Sequence, residues 1–361
     1  MKNLEPGSAV TLESSTGKFL AHAYVNPHSL ISARVTSRRA GVPFSASTLR
    51  ERLVSALALR SLRYENLYYR LVHSEGDFLP GLTVDRYGDV LVVQITTAGM
   101  QRYCDEVVDA LRSMCSASAI YLRNDSSVRE LEKLPLYKEW AFGDAQEVLP
   151  VQENGLSFEV PAEISQKTGW FYDHRDSRAA LAPWVSGKRV LDVYTYVGAF
   201  GIAAASYGAS EVIGIDASQT AVDGANANAQ LNSLGDRYSA RCADAVEAMR
   251  SLFEEGERFD VVVLDPPAFI KRRKDREAGL RHYGLNNRLA MRLLKPGGII
   301  LSASCSQALS HDDLEQQMRR STPRDSLGLQ ILGRVQQAAD HPVNVAMPET
   351  QYLSGVFARI V

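Results

Sequence analysis

The chain has 361 residues, 45% hydrophobic and 23% charged, the balance of an ordinary soluble protein with length for two or three domains. It contains no run of about 18 apolar residues and no apolar leader core in MKNLEPGSAV, so neither a membrane span nor a secretory signal is expected, and the cytoplasm is the expected location. Cys104, Cys115, Cys242 and Cys305 form neither a CxxC pair nor a Cys/His cluster, so no metal site and no disulfide framework is expected.

The net charge of −2 hides an asymmetry along the chain. Residues 1 to 70 hold ten Lys/Arg against four Asp/Glu, residues 71 to 150 hold seven against thirteen, and the remainder 23 against 25. A segment of net +6 followed by one of net −6 points to a polyanionic partner, RNA first, with a solvated basic helix as the alternative.

In chain order, residues 6 to 35 alternate in the manner of short strands, PGSAVTLES, KFLAHAYV and SLISARV, and predict a small β meander. After Pro43, TLRERLVSALALRSLR places Leu49, Leu53, Leu57 and Leu62 close to i, i+4 spacing with arginines between them. That is an amphipathic helix, either lining RNA or simply connecting. LYYRLVHSEGDFLPGLTVDRYGDVLVVQI reads as three strands with a tight turn at Tyr87-Gly88-Asp89, followed by a helix from Met100 to Met114 and the strand SAIYLRN. QKTGWFYDHRDSR, Gln166 to Arg178, is dense in polar residues directly before a helix, and a salt-bridged helix start is one reading of it.

The stretch RVLDVYTYVGAF, Arg189 to Phe200, organises the carboxyl-terminal half of the chain. Val190 to Val193 is a buried strand interrupted by Asp192, the turn falls at Gly198, and an Ala-rich helix leads to a second strand, EVIGID. This strand ends on Asp216, 24 residues after the first acid (216 − 192 = 24). Such spacing suits the first βαβ unit of a doubly wound sheet, where an acid holds ribose hydroxyls. The turn has Gly198 and Gly201 among Tyr194, Tyr196 and Phe200, but neither G-x-G-x-x-G nor GxxxxGK[ST], so nothing cradles a phosphate. A nucleoside with an adenine, ribose hydroxyls and a zwitterionic tail fits, and that describes S-adenosylmethionine; taken alone, the unit is also compatible with an unliganded α/β sheet.

FDVVVLDPPAF, Phe259 to Phe269, is a buried strand stopped by Asp265-Pro266-Pro267 at its carboxyl end, where open α/β sheets bind ligands. From Lys271 to Arg276 the next loop has five positive residues against one negative, a solvated surface or the path of a nucleic-acid backbone. IILSASCSQ is a strand ending on Cys305, LKPGG before it is a turn, and the tail closes with a hairpin.

Coming after a βαβ unit and CADAV (residues 242 to 246), DPPAF resembles the fourth motif of S-adenosylmethionine-dependent methyltransferases. SEGDFLPGLTVDRYGD, KTGWFYDHRD, DPPAF, SCS and AADHPV, taken together, resemble the bacterial 23S rRNA cytosine-C5 methyltransferases. The resemblance implies an α/β, Rossmann-like class I methyltransferase domain, residues 166–361, behind a central α/β RNA-binding or linking domain, 44–165. Ahead of both stands a small, truncated PUA-like β module, 1–43, lacking the family's usual basic opening with HPW. In that family the motif commonly written KTGxxLDQR wraps the methionine end of the cofactor, which implicates Tyr172, Asp173 and Arg175; Tyr172 stands where Leu is usual and His174 where Gln is usual. VYTYVGAF in place of CFSYTGGF, and Gly284 where Lys is common, are further departures.

The expected cofactor-binding set is completed by Asp192, Tyr194, Val197, Gly198, Asp216, Ala217, Asp244 and Ala245, the last two beside the adenine. Carbon 5 of cytosine is too electron-poor to attack a methyl sulfonium until a nucleophile has added at carbon 6, and Cys305 is the expected nucleophile, with Cys242 its competitor. Asp265 is expected to hydrogen-bond the base, which must be unpaired or flipped out. Two other classes stay open. A guanine N2 (amino-group) RNA methyltransferase needs no cysteine, but commonly has an aromatic residue directly after the two prolines, where this chain has Ala268 and then Phe269. A non-catalytic RNA-binding relative predicts erosion of Asp216, Asp265 or Cys305. The expected partner is 23S rRNA, naked or in an assembling subunit; no membrane is expected, and a homodimer is left open.

Overall fold

The computed structural model describes residues 3–163, 168–270, 272–324 and 326–361, with Arg273 described in its backbone alone. The chain forms two compact units. The first comprises Met1–Val151, Pro161–Tyr172 and Ala339–Thr350, and the second Gln152–Val160, Asp173–Ala338 and Gln351–Val361. Position 43/44 falls inside the first unit, whereas 165/166 lies outside the described residues, as do Gln166 and Lys167 of the QKTGW segment.

In the first unit, β1 (Ser8–Glu13), β2 (Phe19–Val25) and β3 (Ala33–Ser37) form the expected antiparallel meander. It is tied to the rest of its unit by Tyr24, a buried residue of β2 whose hydroxyl donates to the Pro80 carbonyl at 2.5 Å. The ring lies against Gly99, where a Cβ would stand 2.0 Å from it. Asn26 donates to Glu132 at 2.8 Å, and Arg34 pairs with Glu75 at 3.0 Å. A second sheet runs in the order β4 (Tyr68–His73), β5 (Leu82–Tyr87), β6 (Val90–Ile95), β7 (Ala119–Asn124), β8 (Tyr137–Phe142), antiparallel except between β6 and β7.

The helix Ala46–Ser61 opens on a capping box from Ser45 and Thr48 and buries Leu49 and Leu53. Leu62 departs from its expected place on the apolar stripe, because the helix ends at Ser61 and leaves it exposed. Arg60 is likewise not on an RNA-facing surface; it is buried and grips Asp77 with both terminal nitrogens, at 2.6 and 2.7 Å. Arg70 holds Asp85 in the same forked way at 2.8 Å. Both acids belong to SEGDFLPGLTVDRYGD, so part of what makes that signature distinctive is the interior of this unit; breaking a buried pair typically costs about 3–5 kcal/mol. The helix expected over Met100 to Met114 is two pieces, Ala98–Gln101 and Cys104–Cys115, separated at Tyr103, which leaves helical geometry and donates its hydroxyl to the Phe44 carbonyl at 3.1 Å.

β9 (Val148–Glu153) and β10 (Leu156–Pro161) pair as a hairpin around Asn154-Gly155, both at positive φ (50° and 81°), the residues a tight two-residue turn favours. The second unit is built on a seven-stranded sheet. Its strands are β11 (Arg189–Val193), β12 (Glu211–Asp216), β13 (Tyr238–Cys242), β14 (Phe259–Leu264), β15 (Leu294–Ser304), β16 (Leu329–Val335) and β17 (Ser354–Ile360). They lie in the order β13-β12-β11-β14-β15-β17-β16, parallel as far as β15 and antiparallel for the last two. Buried Leu191, Val193, Ile213, Ile215, Val262 and Leu264 fill one face of its core. The expected LKPGG turn is a bulge inside β15: Phe259 pairs with Leu294 and Val261 already pairs with Ile299, so the residues between are looped out. Strand order reverses between β11 and β14, and the crevice beyond their carboxyl ends is where such sheets take ligands.

The Gly99→Ala variant should lose about 1–3 kcal/mol through overpacking against Tyr24, read as a lower melting temperature. An unchanged melting temperature would mean that the meander does not pack there.

Candidate active site

The carboxyl end of β11 is shaped by what lies under it. Asp192 is buried, and its Oδ2 accepts from the Thr195 hydroxyl at 2.5 Å and from the Gly201 amide at 2.8 Å. Thr195 Oγ1 also meets the Tyr238 hydroxyl at 2.9 Å. Tyr238, buried at the start of β13, lies against Gly198, Gly201 and Gly214, whose Cβ atoms would stand 3.2, 2.4 and 2.5 Å from it. Over this network the turn carries Tyr194 at φ 68°, Tyr196 at φ 52° and Gly198 at φ 90°. Two tyrosines in a left-handed conformation are strained, at about 1–3 kcal/mol each, and persist only where the surroundings impose them.

Asp192 therefore supports the turn from within. Burial, reinforced by the nearby Asp265 and Asp216 charges and opposed by the Thr195 and Gly201 hydrogen bonds, pushes its carboxyl up to about 7.

The remaining expected cofactor residues of this unit sit around the same crevice. Asp216, at the end of β12, accepts the Tyr196 amide on Oδ2 and the Ser218 amide on Oδ1, each at 2.9 Å. Each oxygen thus keeps one acceptor position, which fits a pair of ribose hydroxyls. Ala217 next to it is exposed. Asp244 caps the helix Ala245–Glu254, its Oδ1 taking the Val246 and Glu247 amides, while Ala245 is buried. Val197 is buried and its carbonyl is held by Asn228 at 3.2 Å. Tyr194 donates to Asn286 at 2.8 Å, and burial together with the Asp244 charge raises its phenol well above the usual range.

The WFYDHRD segment divides between the units. Tyr172 is the last residue of the Pro161–Tyr172 stretch of the first unit, buried, with its hydroxyl on the Arg86 carbonyl at 2.8 Å. From Asp173 onward the chain belongs to the second unit. Asp173 accepts the Tyr352 hydroxyl at 2.5 Å, Glu153 holds Arg178 at 2.5 and 2.9 Å, and Arg175 lies 3.7 Å from the same Glu153.

At the end of β14, Asp265 is about a quarter exposed, and His174 Nε2 lies 3.4 Å from it. His174 is buried, edge-on to Phe200 at 5.2 Å, with its Nδ1 unpartnered among the described residues. At the end of β15, Cys305 stands between two serines that share one phenol. Ser304 Oγ donates to Tyr283 Oη at 2.7 Å, Tyr283 Oη meets Ser306 Oγ at 2.8 Å, and Ser306 Oγ accepts the Ile270 amide at 3.3 Å. Phe269 packs edge-on to Tyr283 at 4.9 Å. This clasp joins the segment carrying Cys305 to the loop that begins at Asp265. Cys242, the competing thiol, is exposed, with its sulfur 3.5 Å from the Ala217 carbonyl.

In the basic loop, Lys271 and the Arg273 side chain lie outside the described residues, Arg272 and Lys274 are exposed, and Arg276 is paired with Asp313 at 2.6 Å. Among the described residues no group of acidic, His or Cys side chains could hold a metal ion, and no helix is long and apolar enough to cross a membrane.

Residues 70–348 match the S-adenosylmethionine-dependent methyltransferase family, and residues 1–38 match a PUA-like domain. The ribosomal RNA large subunit methyltransferase I of Erwinia tasmaniensis is 36% identical over 99% of this chain and 91% of its own length. Its counterpart in Yersinia pseudotuberculosis serotype O:1b is 36% identical over 98% and 91%. The chain belongs to the ribosomal RNA large subunit methyltransferase I family. S-adenosylmethionine is its cofactor. The fold is shared with a methyltransferase solved with S-adenosylhomocysteine bound (TM-score 0.85, 23% identity, covering 99% of this chain and 93% of that one). A Streptococcus mutans protein described as a SAM-dependent methyltransferase has the same score at 22% identity, over 99% and 93%.

Thr195, Tyr238, Tyr283, Glu153 and the His174–Asp265 pairing carry no recognisable signal in the sequence. The glycines at 198, 201 and 214 are visible there, but nothing in the chain order says that one tyrosine packs against all three.

Asp216→Ala should weaken S-adenosylmethionine binding roughly ten- to a hundred-fold, the effect of removing a charged acceptor worth about 1.5–3 kcal/mol, and calorimetry giving wild-type affinity would remove Asp216 from the cofactor site. Asp192 makes a second prediction. Its folded pKa of about 7 lies above the ordinary 3.8, so the unfolded chain ionises first as pH rises. The stability it contributes is fully present below about pH 4 and is lost progressively up to about pH 7, by at most about 4 kcal/mol. Urea denaturation of the cofactor-free protein across this window should show wild type losing stability relative to Asp192→Asn, and parallel curves would show that the carboxyl is not raised.

Proposed function

We propose that this protein transfers the methyl group of S-adenosylmethionine to carbon 5 of a cytosine in 23S rRNA through a covalent adduct with Cys305. The rRNA substrate follows from its relatives' names and from the net +6 of the first 70 residues. The observation that supports the chemistry is the Ser304–Tyr283–Ser306 clasp, which ties the segment carrying Cys305, a partly exposed thiol, to Ile270 in the loop that follows Asp265.

In this reading the Cys305 thiolate adds to carbon 6 and carbon 5 becomes enamine-like. S-adenosylmethionine, when bound, would supply the methyl group to carbon 5 and leave as S-adenosylhomocysteine. Water in the partly exposed site takes the carbon-5 proton, the C–H electron pair re-forms the carbon 5–carbon 6 double bond, and the thiolate is expelled from carbon 6. Asp265 hydrogen-bonds the base at its amino group or ring nitrogen, and His174, 3.4 Å away, restrains that carboxyl group. A guanine amino-group methyltransferase is less well supported, since Ala268 follows the prolines and Phe269 is already packed on Tyr283 and, at 5.4 Å, on His282. We keep the division into a PUA-like module (1–43), a central domain (44–165) and a catalytic domain (166–361) as a proposal about roles. The first two would hold RNA, naked or in an assembling subunit.

RNA containing 5-fluorocytosine should trap a covalent complex with wild type and none with Cys305→Ala, mapped by peptide mass spectrometry. Methylation of cytosine by Cys305→Ala, or an adduct on Cys242, would overturn the mechanism.

A further inference from the structure

At the opposite end of the second unit's sheet, where β14 and β15 begin, lies a cleft of about 940 Å³. Arg258, Arg288, Arg292, Lys295, Arg320 and Arg324 line it, and among the described residues no Asp or Glu does; Asp325, between Arg324 and Ser326, lies outside them. Of these six, only Lys295 has an acidic partner among the described residues, Asp260 at 2.9 Å. The Val361 carbonyl at its edge is already taken by the Leu327 and Gly328 amides, at 2.6 and 3.3 Å.

Two of the guanidiniums are fixed rather than waving in solvent: Arg258 and Arg292 lie over the Phe253 ring, 4.3 and 3.9 Å from its centroid. A cation at a helix carboxyl end answers the helix dipole, and that accounts for Arg292, which ends Arg276–Arg292, and for Arg320 in the last turn of His311–Ser321. It does not account for Arg288, one turn before Arg292 on the same face, where like charges repel. Nor does it account for Arg258 or Arg324. The charged side chains described in this concave surface are all cationic, which concentrates positive potential there and attracts a counter-charge.

We infer that this cleft is a second RNA-backbone site, which takes phosphodiester groups of the substrate away from the base being methylated. The inference rests on the RNA-substrate reading above. Five of the six cations are arginines, whose planar forks suit phosphate oxygens. Arg288, Arg292, Arg320 and Arg324 are spread along an open cleft and exposed to solvent, an arrangement for successive phosphates on a strand rather than for one small anion.

The test uses the full-length chain and a transcript of a 23S rRNA fragment that wild type methylates. Arg288→Gln, Arg292→Gln and Arg320→Gln are combined at exposed helix positions without ion pairs. Each phosphate contact contributes about 0.7–0.9 to the slope of log affinity against log salt, so the slope should flatten by about two to three. Between ~50 and ~200 mM salt, wild type should then lose roughly 20- to 40-fold more affinity than the variant. The KM for RNA should rise with kcat and S-adenosylmethionine affinity unchanged, and the matching triple Lys variant should keep the wild-type slope. If wild type shows salt-dependent RNA binding and the Gln variant has the same slope, or if the Lys variant flattens as much as the Gln variant, the cleft is not an RNA site although the substrate reading stands. If wild type binds no rRNA fragment, both fall.

Discussion

The Tyr238 hydroxyl, the Thr195 hydroxyl and the Asp192 carboxyl form the buried contact on which the cofactor side of this protein depends. The strained turn from Tyr194 to Gly198 lies over them, and the helix that starts at Ala199 is tied to them by the Gly201 amide. The same turn presents the Tyr196 amide to Asp216. One buried carboxyl thus sets the path of the chain between two strands, and Asp216, the acid proposed to hold the ribose, is positioned by that path. A carboxyl with an orphaned oxygen in such a place is expensive to ionise, which is why its pKa rises and why the network is polar but tightly closed.

A second constraint acts at the substrate side. Tyr283 comes from the middle of the long helix Arg276–Arg292, yet its hydroxyl sits between Ser304 and Ser306. Burial raises the phenol above its usual range, the serine hydrogen bonds oppose this, and the neighbouring Cys305 adds to it. The phenol and the two hydroxyls thus hold the residues on either side of Cys305.

The first unit uses charge differently. Arg60 with Asp77 is a buried forked pair and Arg70 with Asp85 a partly buried one, and removing one partner of either would leave its counter-charge uncompensated. Arginines counted in the basic amino-terminal third are therefore not all available to a polyanion: Arg60 and Arg34 are committed to acids.

By itself, the sequence determined the doubly wound sheet and the strand ends bearing Asp216, Asp265 and Cys305. Strand period, turn residues and acid spacing are local properties, legible over a few tens of residues. Tertiary structure decided what the local pattern leaves open. Asp192 turned inward because Thr195 and Gly201 meet it there. Leu62 fell outside its helix, and the expected helix over Met100 to Met114 broke where Tyr103 reached Phe44. Tyr238 came to rest against glycines 24 to 40 residues earlier in the chain (238 − 214 = 24; 238 − 198 = 40). The partners in each case are distant in sequence, and which of many polar and small residues meet is fixed only when the sheet order brings their strands side by side.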